Sequence, residues 1–215
     1  MGIHSALAAL ALDVFASVLA PPRCAACDAP VARSAAFCAP CAATVEAGEQ
    51  EDDAVAAFTY GGAVAQAVTR MKYESRPDLA RPLGDLLWRA LAPRAGSLRA
   101  SLVVPVPLHP SRLAERGFNQ SSLLAGRVAR HLGASFAPLA LMRARDTPKQ
   151  ATLDRSGRLA NVAGAFRARG AKGLQGRAVL LVDDVSTTGA TLDACSGALR
   201  TAGARAVATA VLAKA

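Results

Sequence analysis

Apolar residues along this chain fall into two rhythms. Short apolar runs at 54–60, 101–107, 137–142, 178–182 and 204–212 have the length of strands. The run at 178–182, Ala-Val-Leu-Leu-Val, is apolar at every position, as in a strand buried on both faces. Helical patterns fill the intervals, at 63–73, from Arg76 through Leu91, up to Leu132 and at 192–200. Gly61-Gly62 marks a turn, and Asp78 is a candidate cap for the helix it opens. Pro105 and Pro107 would damage a central ladder, so the second run is expected to stop there and turn sharply. The acidic stretch 46–53 reads as a linker or exposed turn, and Trp88 as core. The chain carries no internal repeat.

The chain's most informative chemistry follows the 178–182 run. Asp183 and Asp184 stand where that strand is expected to end, followed by Val185, Ser186, Thr187, Thr188, Gly189, Ala190 and Thr191, and then a helix. A strand, a small-residue loop and a helix N-terminus make an anion site, because free backbone N–H groups point outward and the helix dipole favours negative charge. Gly189 permits close backbone approach to a phosphate, and the four hydroxyls can donate to its oxygens. The adjacent carboxylates are acceptors for a vicinal diol, and a phosphate beside a diol is a ribose 5-phosphate. The plainer alternative is a buried strand ending in a turn, with Thr188 as N-cap and the acids solvated. This is not a Walker P-loop, since no Gly-x-x-x-x-Gly-Lys is present.

Length and composition set the frame. At 215 residues, 52% hydrophobic and 19% charged, the chain can build one α/β domain and a small appendage. The net charge of +9 is uneven: residues 1–53 hold two arginines against seven acids, or −5, leaving +14 on residues 54–215. A basic domain suits polyanions, whether phosphorylated metabolites or nucleic acid. Near the N-terminus, Leu7, Leu10, Val14, Phe15 and Val18 have helical spacing. Asp13 interrupts the apolar run and no basic residue precedes it, so a packed amphipathic helix is expected rather than a signal peptide. No run reaches the roughly 18 apolar residues of a membrane span. A cytoplasmic protein is expected.

Cys24-Ala-Ala-Cys27 and Cys38-Ala-Pro-Cys41 are two C-x-x-C pairs ten residues apart. They supply four thiolates for a tetrahedral site, and structural zinc is the expected occupant, holding a segment too small for its own core. Disulfides are disfavoured without a secretory signal and a redox role by the duplication. An iron–sulfur cluster is the less favoured metal alternative. Cys195 reads as a small buried packer.

After the 101–107 strand, Pro105, Val106, Pro107 and Leu108 lead into His-Pro-Ser-Arg-Leu-Ala-Glu-Arg-Gly-Phe-Asn-Gln120, on the carboxyl-end edge where open α/β sheets place ligands. Arg112 and Arg116, four apart, either clamp a pyrophosphate or form a basic exposed face. His109 is solitary and supports no catalytic assignment. Lys72 and Tyr73 either face the site or end a solvated helix. The basic polar segment 143–158, with Arg143, Thr147, Lys149, Gln150 and Arg158, is a candidate flap over anionic substrate, or an ordinary surface loop.

The 178–191 stretch resembles the phosphoribosyl-pyrophosphate (PRPP) signature of type I phosphoribosyltransferases. Taken with the paired cysteines, Lys72-Tyr73, Val104-Pro-Val-Pro-Leu, Arg116-Gly-Phe-Asn-Gln120, and Arg143, Thr147, Gln150, Arg158 and Asn161, nearly the whole chain resembles the ComF family. The resemblance implies an α/β fold: a parallel sheet flanked by helices, with a small N-terminal zinc-ribbon-like element. It divides the chain into 1–53 (helix and four-cysteine segment) and 54–215 (phosphoribosyltransferase-like domain). It implies that Asp183 and Asp184 hold ribose hydroxyls, Ser186 to Thr191 the 5-phosphate, and Pro105 to Leu108 the pyrophosphate loop, with magnesium carried largely by PRPP and water. The expected chemistry is transfer of ribose 5-phosphate to an unidentified acceptor with release of pyrophosphate. The alternative is a non-catalytic PRPP-binding or DNA-uptake accessory protein, with DNA or competence-machinery proteins as partners. Enzymes acting on 6-oxopurines carry an acid at the position of Thr187, so the resemblance does not extend to that acceptor class.

Overall fold

The computed structural model describes residues 21–144 and 164–215. The expected N-terminal helix, and Thr147, Lys149, Gln150, Arg158 and Asn161, lie outside the described residues. The core is a five-stranded sheet of order β1-β7-β6-β2-β3, in which every pairing is parallel. Its strands are β1 (Ala54–Thr59), β2 (Leu102–Pro105), β3 (Ser135–Phe136), β6 (Ala178–Ser186) and β7 (Ala206–Lys214). Strands β4 (Leu141–Arg143) and β5 (Phe166–Ala168) form a separate antiparallel pair. The helices are α1 (Ala39–Ala42), α2 (Gly62–Tyr73), α3 (Ala80–Leu91), α4 (Ala95–Leu98), α5 (Pro110–Arg116), α6 (Gln120–Leu132) and α7 (Ala190–Thr201).

The apolar strands alternate between two cores. Val103, Leu180, Val182, Ala210 and Leu212 pack with α2, α3 and α6 on one face. Val104, Val179, Leu181, Val207 and Val211 pack with α7 and the β4–β5 pair on the other. Burial on both sides explains why the central strands are apolar at consecutive positions. The connection from β2 through α6 leads outward to β3, whereas that from β6 through α7 leads the opposite way to β7. The sheet therefore reverses direction between β2 and β6, and the carboxyl ends of those strands flank a crevice of the kind that holds ligands.

Several boundaries differ from those expected. Strand β6 runs on to Ser186, because β7 pairs with it at Asp183, Val185 and Ser186, so the acids lie inside the strand. Strand β2 stops at Pro105 as expected; Val106 still donates to the Val182 carbonyl at 2.9 Å, and Pro107 has no N–H with which to continue. Of the run at 137–142 only Leu141 and Met142 are strand, in β4; residues 137–140, with Pro138, form the turn that separates β4 from β3. Asp78 is no cap: α3 follows a 3₁₀ turn, and Asp78 instead accepts two hydrogen bonds from Arg76, at 2.9 and 2.8 Å. Trp88 is half-buried and stacks on the His131 ring at 5.6 Å. The 46–53 stretch lies along β1, with bridges from Ala47 to Phe58 and from Gln50 to Val55.

Candidate functional site

Register exposes the acids to the crevice. The last β2 residue, Pro105, pairs with Val182, so β6 projects beyond β2 from Asp183 onward and is supported there by β7. Asp183 and Asp184 are nevertheless buried, at 8% and 6% exposure. Asp183 accepts the Ser121 hydroxyl at 2.6 Å and the Asp184 backbone N–H at 2.9 Å. Asp184 accepts the Val185 N–H at 2.8 Å and holds the Lys72 ammonium at 2.6 Å. Burial foremost, then the neighbouring Asp184 charge, pushes the Asp183 carboxyl up to about 7. Burial alone would lower the Lys72 ammonium, but Asp184 outweighs it and holds Lys72 above its ordinary value. Of the two expectations for Lys72-Tyr73, Lys72 faces the site, whereas Tyr73 is 70% exposed.

The loop after β6 reaches α7 through Gly189, which is its N-cap with φ 80° and not Thr188. An added Cβ at Gly189 would meet only the Asp193 carboxylate at 3.7 Å, so conformation rather than crowding selects glycine here. Lys72, Asp183 and the 185–192 segment line a cavity of about 190 Å³. The Thr188 hydroxyl is buried without a hydrogen-bond partner there. A second cavity of about 550 Å³ shares Ser186 to Gly189 and Leu192 with the first and is otherwise lined by β1, β7 and α7, with Glu49, Glu51, Asp193 and Lys214 on its walls. Lys214 and Glu49 pair across it at 2.5 Å.

The Arg116-Gly-Phe-Asn-Gln120 segment connects these parts. Gly117, at φ 80°, ends α5, and Phe118 packs against the first core. The Asn119 side chain caps α6 by accepting from Ser121 N–H at 3.1 Å, and donates to the Val106 carbonyl at 3.0 Å. Val106 is thereby held, between buried Pro105 and Pro107, with Leu108 half-buried at the loop's end. Arg116 donates to the Gln120 side chain at 2.8 Å and stacks over Tyr73 at 5.5 Å. Arg112 lies one turn earlier on α5. Arg143, within β4, lies over the Phe166 ring at 5.5 Å. Sequence reasoning missed Ser121, and its only signal was its place one residue after Gln120.

The sulfurs of Cys24, Cys27, Cys38 and Cys41 all lie within 4.8 Å of one another, with Cys27 and Cys38 at 3.6 Å. Bonds of about 2.3 Å to zinc put tetrahedral sulfurs roughly 3.8 Å apart, so this set fits a zinc ion. Burial pushes the Cys24 thiol up, but the backbone N–H groups of Cys38, Cys27 and Ala26 outweigh it and bring it down to about 6. Its hydrogen bond with Cys38, then burial, raises Cys41 to about 12. Cys195 is fully buried, which pushes its thiol well up and leaves it a packing residue.

The phosphoribosyl transferase domain model matches residues 119–215. The DNA utilization protein YhgH of Escherichia coli is 34% identical over 151 residues, covering 69% of this chain and 66% of its own. Competence protein F of Haemophilus influenzae is 34% identical over 140 residues, covering 63% of this chain and 61% of its own. The alignments thus span about three fifths to two thirds of those relatives' lengths. A solved structure described as the allosteric regulatory enzyme of purine biosynthesis aligns at 20% identity and TM-score 0.45, covering 76% of this chain and 31% of its own. Among the described residues, no helix is long and apolar enough to cross a membrane.

Proposed function

Because this chain belongs to the ComF family of phosphoribosyltransferase-like proteins, we propose that it binds Mg–PRPP and transfers ribose 5-phosphate to an acceptor. The observation that carries the reading is the pair of buried carboxylates: Asp183 lines the 190 Å³ cavity of the 185–192 segment, and Asp184 holds Lys72, which lines it too. The acids accept the ribose hydroxyls, and the loop N–H groups with the Ser186, Thr187, Thr188 and Thr191 hydroxyls take the 5-phosphate. The unpartnered Thr188 hydroxyl supports this, since a buried donor without a partner is costly. The Pro105 to Leu108 loop, with Arg112 and Arg116, receives the pyrophosphate, and the segment bearing Arg143, Thr147, Lys149, Gln150 and Arg158 covers it. Magnesium, carried by PRPP oxygens and water, would supply positive charge to the leaving pyrophosphate. Zinc occupies the four cysteines as a structural ion.

In the transferase reading, a nucleophile takes the ribose C1 as the bond to pyrophosphate breaks, through an oxocarbenium-like transition state. A second reading is supported by the relatives' names and the +14 charge of residues 54–215: a PRPP-binding accessory protein in DNA handling. Measuring pyrophosphate release from Mg–PRPP across a panel of nucleobases and amines tests the first reading. Release with one acceptor class supports transfer; PRPP binding without turnover, with salt-sensitive DNA binding, supports the second.

A further inference from the structure

The cysteine segment grips α2 at both ends. At the N-terminus, the Thr44 hydroxyl accepts the Ala63 N–H at 3.0 Å while donating to the Cys41 carbonyl at 2.8 Å. It supplies the N-cap acceptor that Gly61 lacks. At the C-terminal end, Arg70 donates to the Asp28 carboxylate and to the Ala25 carbonyl at 3.2 Å, inside the first C-x-x-C turn. Arg76, just past the helix, donates to the same carboxylate at 3.2 Å. Asp28 thus joins two arginines that flank Lys72, from a left-handed backbone position at φ 61°.

Helical geometry turns this grip toward the site. Successive residues are about 100° apart, so Arg70 and Lys72 project from nearly opposite sides of the helix. Arg70 faces the cysteine turn, Lys72 reaches Asp184 at 2.6 Å, and Met71 between them is fully buried in the core. The last turn of α2 is therefore fixed from three directions, and the Lys72 ammonium is set by a helix whose outer side is held by the cysteine element.

We infer that Asp28 is a positioning residue, through which the four-cysteine element sets Lys72 against Asp184 and so governs the order of the ribose-binding carboxylates. The element then acts on the site as well as holding its own segment together, and loss of its metal or oxidation of its thiols loosens the site from a distance. The ligand's identity rests on the PRPP reading above; the mechanical coupling does not.

The test uses the full-length, metal-loaded chain and Asp28→Asn. Asparagine tolerates left-handed backbone and keeps the side chain's shape, so this variant removes the charge and leaves the turn. Zinc content and thermal midpoint should stay close to wild type, while amide exchange at residues 70–74 accelerates about tenfold. Mg–PRPP affinity should fall about fivefold, a usual size for coupling between sites. The same change placed on Lys72→Gln should cost nothing further, which a purely structural role for Asp28 would not produce. Unchanged exchange at 70–74, or fully additive losses in the double variant, overturns the inference. If Asp28→Asn loses zinc, Arg70→Gln repeats the measurement with every residue of the cysteine turns intact, and Glu74→Gln controls for the other carboxylate that Arg70 holds, at 2.9 Å. Exchange is read without ligand, so a wild type that ignores Mg–PRPP removes the PRPP reading while the exchange result still decides the coupling.

Discussion

The Lys72 ammonium lies 2.6 Å from the Asp184 carboxylate, with the two side chains only 21% and 9% exposed. This contact ties the end of α2 to the projecting tip of β6, two elements far apart in sequence. Both groups are largely removed from water, so removing one leaves the other as a buried, uncompensated charge.

Lys72→Gln should therefore destabilise the fold by about 3 kcal/mol, and adding Asp184→Asn should restore much of that loss. Urea unfolding of the wild type, both single variants and the double variant measures it. Additive losses would mean that the pair is not an energetic unit.

The burial of Asp183 gives a pH dependence with a definite sign. Its carboxyl titrates at about 7 in the fold against an ordinary 3.8, so the folded chain holds a proton that the unfolded chain releases. This contribution to stability is complete below about 3.8 and disappears as pH rises through about 7. Asp183→Asn keeps an acceptor for Ser121 and the Asp184 N–H, and should flatten the decline between about pH 4 and 7. Midpoints measured by calorimetry across that range check it; parallel curves for wild type and variant would contradict it.

Gly189 makes a backbone prediction. Its φ of 80° places it in the left-handed region, while a Cβ there would find ordinary space. Gly189→Ala should cost about 1–2 kcal/mol through conformation alone. Gly189→Val should cost more, because a β-branched side chain is worse suited to that region. Equal stability of the glycine and alanine forms would show that the loop relaxes out of the left-handed conformation.

At the cysteine cluster, about one zinc per chain is expected, held by Cys24, Cys27, Cys38 and Cys41. Elemental analysis gives the ratio, and mass spectrometry showing two disulfides would exclude it. Cys27→Ser should destabilise residues 21–45 more than the sheet, read as faster amide exchange there.

The parallel strands, the Asp183–Asp184 pair and the cysteine spacing are legible in the sequence, because each depends on local pattern. Apolar runs announce strands buried on both faces, and the C-x-x-C pairs announce a cluster of sulfurs. What escapes depends on tertiary contact. Nothing near Asp28 in sequence announces that it meets Arg70 and Arg76. Asp78 has the look of a cap because it opens a helical pattern, but the adjacent Arg76 captures its carboxylate. The full length of β6 is hidden because two acids interrupt an apolar run. Parallel pairing with β7 carries the strand through them, and backbone N–H groups and Lys72 satisfy the carboxylates. The run at 137–142 reads as one strand in the sequence despite Pro138, which separates the end of β3 from β4.

The most direct measurement is calorimetric titration of the wild type, Asp183→Asn and Asp184→Asn with PRPP in the presence of magnesium. Each carboxylate's charge-assisted hydrogen bond to a ribose hydroxyl is worth roughly 1.5–3 kcal/mol. Affinity should accordingly fall about ten- to a hundredfold in each variant, with the fold retained. A wild type that ignores millimolar Mg–PRPP, or variants that bind it as well as wild type does, would contradict the account.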